Sequence, residues 1–364
     1  MDKETGTYGL QATERRKMRN PAIEICRLVA SIFVVFIHYG FPGEFGEVMN
    51  CLARFAVPFF FAVSGYFAYQ KDEVVIKKRT IGILKLNLYA TLLYLLWGSY
   101  EERYVFGRGR AAWLQRVFSE GNLTKWFING VNPLAGHLWY LAAILECYIM
   151  LYLYVRWKGK KYDYYSLYVV SILLYAVHVM MGSVAAAVDF DVPYKIYRNA
   201  LFTGIPMFSL GIFLREYGDK ILETYRLSRK KLVMLIVLGA AFSVLQWRGT
   251  GKVEMPVGSV IEVVALMLLI VSLPANWGTG KVIAGVTSGL GVLSTYIYVT
   301  HIFWMDLYEI FWRKYITVLE KTALEYLSPV LVVLISVCTG VVYIMMKGMV
   351  EKAFTRLSHS FKKT

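Results

Sequence analysis

Residues 20–40, NPAIEICRLVASIFVVFIHYG, form an apolar run about as long as a helix needs to cross hydrocarbon, yet the run carries Glu24, Arg27 and His38. Lipid offers such groups no partners, so they face a bundle interior or an aqueous cavity. A single helix supplies neither. The chain is therefore constrained to fold as a polytopic bundle around this segment. Arg27 and His38 are 11 positions apart. At about 100° per residue that is about three turns plus 20°, so both lie on one stripe, about 16 Å apart along the axis.

The rest of the chain agrees. It is 57% hydrophobic over 364 residues, with a mean hydropathy of +0.48, above the roughly 45–50% apolar content of soluble domains. Ten spans are expected, at about 22–41, 51–70, 80–98, 137–156, 164–186, 199–217, 231–248, 257–274, 289–311 and 327–347. The reading is an all-α polytopic membrane bundle, without the alternating strands of a membrane barrel. An even number of spans puts both termini on one side. Lys and Arg outside the spans number 21 on that side and 11 on the other, which places both termini in the cytoplasm. The expected division is a cytoplasmic tail at 1–20, a transmembrane domain at 21–347 and a basic cytoplasmic tail at 348–364. Residues 1–19 have no apolar core of a signal peptide. The net charge of +15 sits mostly in loops and excludes nucleic acid as the partner. The lipid bilayer is the expected surroundings, in a multi-pass protein of a bacterial cytoplasmic membrane. Cys26, Cys51, Cys147 and Cys338 show neither disulfide nor metal-ligand spacing, and no metal is expected. Asn276–Lys281, NWGTGK, lacks the spacing of a phosphate loop.

Further polar groups interrupt the spans. Arg54 precedes Pro58, Ser64 and Gly65 in the second, and a short connection brings it near His38. His137 and Trp139 open the fourth span and Glu146 lies near its middle. His301 sits mid-span in the ninth, followed by Asp306 and Glu309. His178 reads as a packing residue. In the long connection at 99–136, Trp113, Leu114, Val117 and Phe118 share one helical face, which suits either an interfacial helix or one packed on the bundle.

A histidine suits general-base work on a hydroxyl. An arginine beside it, Arg54, suits the negative charge that develops on an attacked carbonyl. Arg27, nearer the cytoplasm, suits the phosphates of a coenzyme A thioester. The same residues also suit a pathway for a small zwitterion. On this reading His38 and Arg54 are the catalytic candidates and Arg27 the donor-binding one. Glu24, Trp139, Glu146 and His301 are the further candidates for substrate contacts.

The blocks EICR (Glu24–Arg27) with His38, RFAVPFFFAVSGYF (Arg54–Phe67), HLWYL (His137–Leu141) and STYIYVTH (Ser294–His301) stand in order along the chain. In these the sequence resembles the acyltransferase 3 family of bacterial membrane O-acyltransferases. The resemblance implies about ten helices, a catalytic histidine at His38, and an arginine at Arg27 on the side where acyl-CoA enters. It further implies acetyl-CoA or another acyl-CoA as donor, and a hydroxyl of an extracytoplasmic glycan or envelope component as acceptor. The block around Arg54 is also similar to the membrane part of the serine racemases of vancomycin resistance. That second likeness carries an alternative, a transporter-like module for a small amino acid such as serine.

Overall fold

The computed structural model describes residues 20–159, 163–274, 277–278, 280, 287, 289–312 and 321–361. The N-terminal tail, apart from Asn20, and half of NWGTGK lie outside these. All the regular structure among the described residues is helical. Helix α1 spans Pro21–His38. Asn20 caps it, its Oδ1 accepting from the backbone N–H of Ala22 (3.0 Å) and Ile23 (3.5 Å), and Pro21 occupies the first turn, where its missing N–H costs nothing.

After α1 come α2 (Gly43–Leu52) and α3 (Ala56–Ala68), joined by a 3-10 turn at Ala53–Phe55. The second span is expected to begin at about 51, after a loop at 42–50. The structure continues the helix back to Gly43. Pro58 explains the joint: it has no N–H for the carbonyl of Arg54, so the turn tightens there. Then follow α4 (Glu73–Tyr100), α5 (Arg110–Val117), α6 (Glu120–Asn129), α7 (Trp139–Lys158) and α8 (Tyr165–Val179). The last helices are α9 (Ile205–Thr224), α10 (Arg229–Thr250), α11 (Val257–Val271), α12 (Leu290–Leu307) and α13 (Lys321–Phe361). The final helix runs on well past the span end expected at 347.

Seven helical stretches among the described residues are long and apolar enough to cross a membrane, and Val257–Val271 is a shorter apolar helix. Ten spans were expected. Helices lie at all ten places, but α9, α11 and α12 miss the length or the apolarity of a free-standing span. Helix α9 carries Arg215, Glu216, Asp219 and Lys220 in its second half, α11 has 15 residues, and α12 contains Ser294, Thr295, Thr300 and His301. Position in the bundle accounts for this. The most apolar windows of α4, α8, α10 and α13 are only 17–22% buried and form the periphery, with residues such as Leu96, Ile172 and Val237 facing outward. A helix enclosed by others need not be apolar all round. Trp113 and Val117 of α5 are buried, and a Cβ on Gly98 would meet the Trp113 ring at 2.6 Å. The connection at 99–136 is thus partly packed on α4, while Leu114 and Phe118 stay exposed.

Candidate active site

Helix α1 packs lengthwise against α12. The two are tied together near Arg27. Ser294 Oγ donates to the Arg27 carbonyl at 2.9 Å, and Arg27 Nη2 donates to Thr295 Oγ1 at 3.5 Å. Glu24 is buried and pairs with Arg27 at 3.4 Å. Glu24, Arg27 and Thr295 line a cavity of about 800 Å³ together with Ser64, Arg79, Tyr140 and Tyr343. Arg79 Nη1 donates to the Phe67 carbonyl at 2.7 Å. A lobe of about 320 Å³ shares Arg27, Ser64, Arg79 and Tyr140 with it and reaches Tyr298. Gly291 of α12 leaves the room that the acidic partner needs, since a Cβ there would come within 2.1 Å of Glu24 Oε2 and 3.0 Å of Arg27 Nη1. Gly291→Ala is therefore expected to displace the pair and to weaken the anion binding proposed below for Arg27. A titration of the variant with coenzyme A checks this, and unaltered affinity would show the pair to be irrelevant to binding.

At the other end of α1, His38 is the last helical residue, exposed to a second cavity of about 830 Å³. Two buried histidines stand beside it. The ring centroids lie 5.1 Å (His38–His301), 6.1 Å (His38–His137) and 4.8 Å (His137–His301) apart. His301 Nδ1 lies 2.8 Å from the Tyr298 carbonyl and 3.2 Å from that of Ile297. Both are acceptors, so Nδ1 carries the proton and the neutral ring offers a lone pair at Nε2. That atom has no hydrogen-bond partner among the described residues.

Arg54 lines the same cavity. It stands in the 3-10 joint set by Pro58, so the break in the helix positions its side chain. Its Nε and Nη2 donate to Asn50 Oδ1 at 3.3 and 2.9 Å, and its Nη1 to Glu254 Oε2 at 3.1 Å. The guanidinium lies 5.8 Å from the Trp247 ring centroid. This buried charge is thereby paired, which a membrane interior demands.

Tyr140 lines all three spaces. Its ring packs on Phe61 (4.8 Å) and Tyr298 (5.3 Å). Tyr298 lines both the His38 cavity and the small lobe, and its hydroxyl donates to the His137 carbonyl at 2.5 Å. The wall between the two ends of α1 is thus a pair of tyrosines.

The structure gathers His38, Arg54, Trp139 and the histidine pair at one end and Glu24 with Arg27 at the other. It leaves out Glu146, whose side chain is exposed and lines none of these cavities. His178 lines the His38 cavity and contacts Thr203 Oγ1 at 3.3 Å. Among the described residues no cluster of three or more His, Cys, Asp or Glu has metal-site geometry. Sequence reasoning missed Arg79, Tyr140, Arg198, Lys252, Glu254 and Tyr298. Arg198, Lys252 and Glu254 lie in connections, where charge is ordinary and periodicity absent, so only a fold could bring them to Arg54.

A family model described as an acyltransferase domain matches residues 20–346. The serine/alanine racemase of Enterococcus gallinarum is 30% identical over 153 residues, 37% of this chain and 19% of its own length. The chain thus spans about a fifth of that relative. No solved structure matches.

Proposed function

The chain belongs to the acyltransferase 3 family, and from that membership we propose that it moves an acyl group, acetyl in the simplest case, from cytoplasmic acyl-CoA to a hydroxyl of an extracytoplasmic glycan or envelope acceptor. The setting is the cytoplasmic membrane of a bacterium, with both termini inside the cell. The observation that carries this reading is the pair of cavities at opposite ends of α1, one holding Arg27 and the other His38, which meet at Tyr140. Arg27 and Arg79 would receive the phosphates of the donor. The pantetheine arm would pass Tyr140 and bring the thioester to His38, about 16 Å along α1 from Arg27.

There His38 takes the proton of the acceptor hydroxyl as its oxygen bonds to the thioester carbon. Arg54 stabilises the negative charge on the carbonyl oxygen. The C–S bond then breaks, the acyl group stays on the acceptor oxygen, and the His38 imidazolium returns its proton to the coenzyme A thiolate. His301, its ring 5.1 Å from that of His38, packs against the base and limits its orientation. No step requires a metal.

The direct test is release of free thiol from acetyl-CoA by the purified protein in proteoliposomes with a glycan acceptor. Thiol release matched by acylated acceptor is the expected result, and its absence across acceptors counts against the reading. Arg27→Gln is expected to raise the donor KM by about tenfold or more, as lost charge-assisted contacts do, with a smaller change in kcat. An unchanged KM would remove Arg27 from the donor site. The two-ended cavity also favours a second reading, passage of a small amino acid, for which uptake of labelled serine without thiol release would be the signature.

A further inference from the structure

The chemistry above requires of the acceptor only a hydroxyl. The His38 cavity asks for more. Its charged lining consists of Arg54, Lys195, Arg198 and Lys252 against Asp191 and Glu254. Glu254 is shared, since the same Oε2 takes Nη1 of Arg54 at 3.1 Å and Nη1 of Arg198 at 3.4 Å. One carboxylate does not balance two guanidiniums.

Arg198 is the less satisfied of the two. Its Nε has no hydrogen-bond partner among the described residues. Its guanidinium lies 4.2 Å from the Tyr194 ring centroid and 5.3 Å from that of Trp139, so two aromatic contacts fix its plane. A guanidinium held in this way presents a pre-oriented fork of donors that matches a carboxylate or phosphate. Lys252 stands in the connection between α10 and α11. Desolvation, and secondly the neighbouring Arg54 charge, hold its ammonium below the usual lysine range. An anion in this cavity would relieve that repulsion.

We propose that the acceptor carries an anionic group, a carboxylate or a phosphate, which Arg198 and Lys252 bind in the His38 cavity, so that a hydroxyl on the same molecule lies at His38. The proposal rests on the reading of this cavity as the acceptor site.

The test measures binding to the full chain in lipid nanodiscs with no donor present. The probes are methyl glucuronide, a glucose phosphate and neutral methyl glucoside. At least one anionic probe is expected to bind about tenfold or more tightly than the glucoside, the scale of one charge-assisted contact, with the advantage shrinking as salt is raised. Whichever anion binds tighter identifies the group. Arg198→Gln is expected to abolish the advantage. Glu254→Gln, which removes the competing carboxylate but keeps an acceptor oxygen for Arg54, is expected to enlarge it. Opposite shifts from two changes in one cavity are not produced by general loss of folding. Equal binding of the neutral glucoside, or a shift in the same direction for both variants, would overturn the proposal. Thiol release is measured separately. Anion preference without thiol release would overturn the acyl-transfer reading and leave the anion site standing. Thiol release with the neutral glucoside preferred would overturn the anion site alone.

Discussion

His38→Ala is expected to lower the rate of acyl transfer by about 10²–10⁴-fold, the usual contribution of a positioned general base. Among the described residues, the imidazoles of His137 and His301 are the groups of like chemistry nearest to His38. His301 is fixed by its Nδ1 contacts to the Tyr298 and Ile297 carbonyls, and it is fully buried, whereas His38 is exposed to the cavity. It therefore cannot take over the role without the helix shifting. The donor KM should move little, because Arg27 is about three turns away. Single-turnover measurement of acetyl transfer in the variant checks this. A rate within a few-fold of the parent would mean that His38 is not the base. His301→Gln, which spares the base and removes its proposed support, is expected to cost less than His38→Ala.

The largest stability effect is expected at the crossing of α3 and α9. Gly65 and Gly211 let the two backbones touch. A Cβ on Gly211 would stand 1.8 Å from the Ala62 carbonyl oxygen and 2.8 Å from the Tyr66 nitrogen, and one on Gly65 would stand 1.8 Å from the Phe208 carbonyl oxygen. Backbone cannot give way as a flexible side chain can. Gly211→Leu must force the helices apart and open the centre of the bundle, since α3 also carries Phe59 and Phe61, both fully buried. Overpacking of this kind costs about 3 kcal/mol or more. Thermal unfolding in detergent should show a large loss for Gly211→Leu. Gly82→Ala is the control, because a Cβ there meets nothing within 4 Å. Equal stability of the two variants would contradict the close crossing.

The sequence makes the bundle legible because lipid imposes a length and a composition on every exposed helix. The same rule makes the buried helices harder to read. Helix α12 carries His301 and the Ser294 and Thr295 contacts to α1, and those polar groups cost it the apolarity of a free-standing span. The site divides likewise. Arg27 and His38 stand out because a single helix relates them. Arg54 stands out because it interrupts apolar sequence. Arg198, Lys252 and Glu254 reach Arg54 from connections 144–200 positions further along, and no local pattern encodes that meeting. Tyr140 and Tyr298 read as ordinary aromatic residues of a membrane helix until the cavities on either side are seen. Glu146 shows the converse, since a lone carboxylate in an apolar run promised a role and yet faces away from every cavity described.

In the proposed reaction, donor and acceptor meet across the bundle, from Arg27 at one end of α1 to His38 at the other. The most direct measurement uses sealed vesicles with the protein in one orientation, labelled acetyl-CoA on one face and a membrane-impermeant glycan on the other. Labelled glycan is expected when the donor is on the Arg27 side and the glycan on the His38 side, and none with the two exchanged. Labelling only when both are on the same side would contradict a meeting across the bundle.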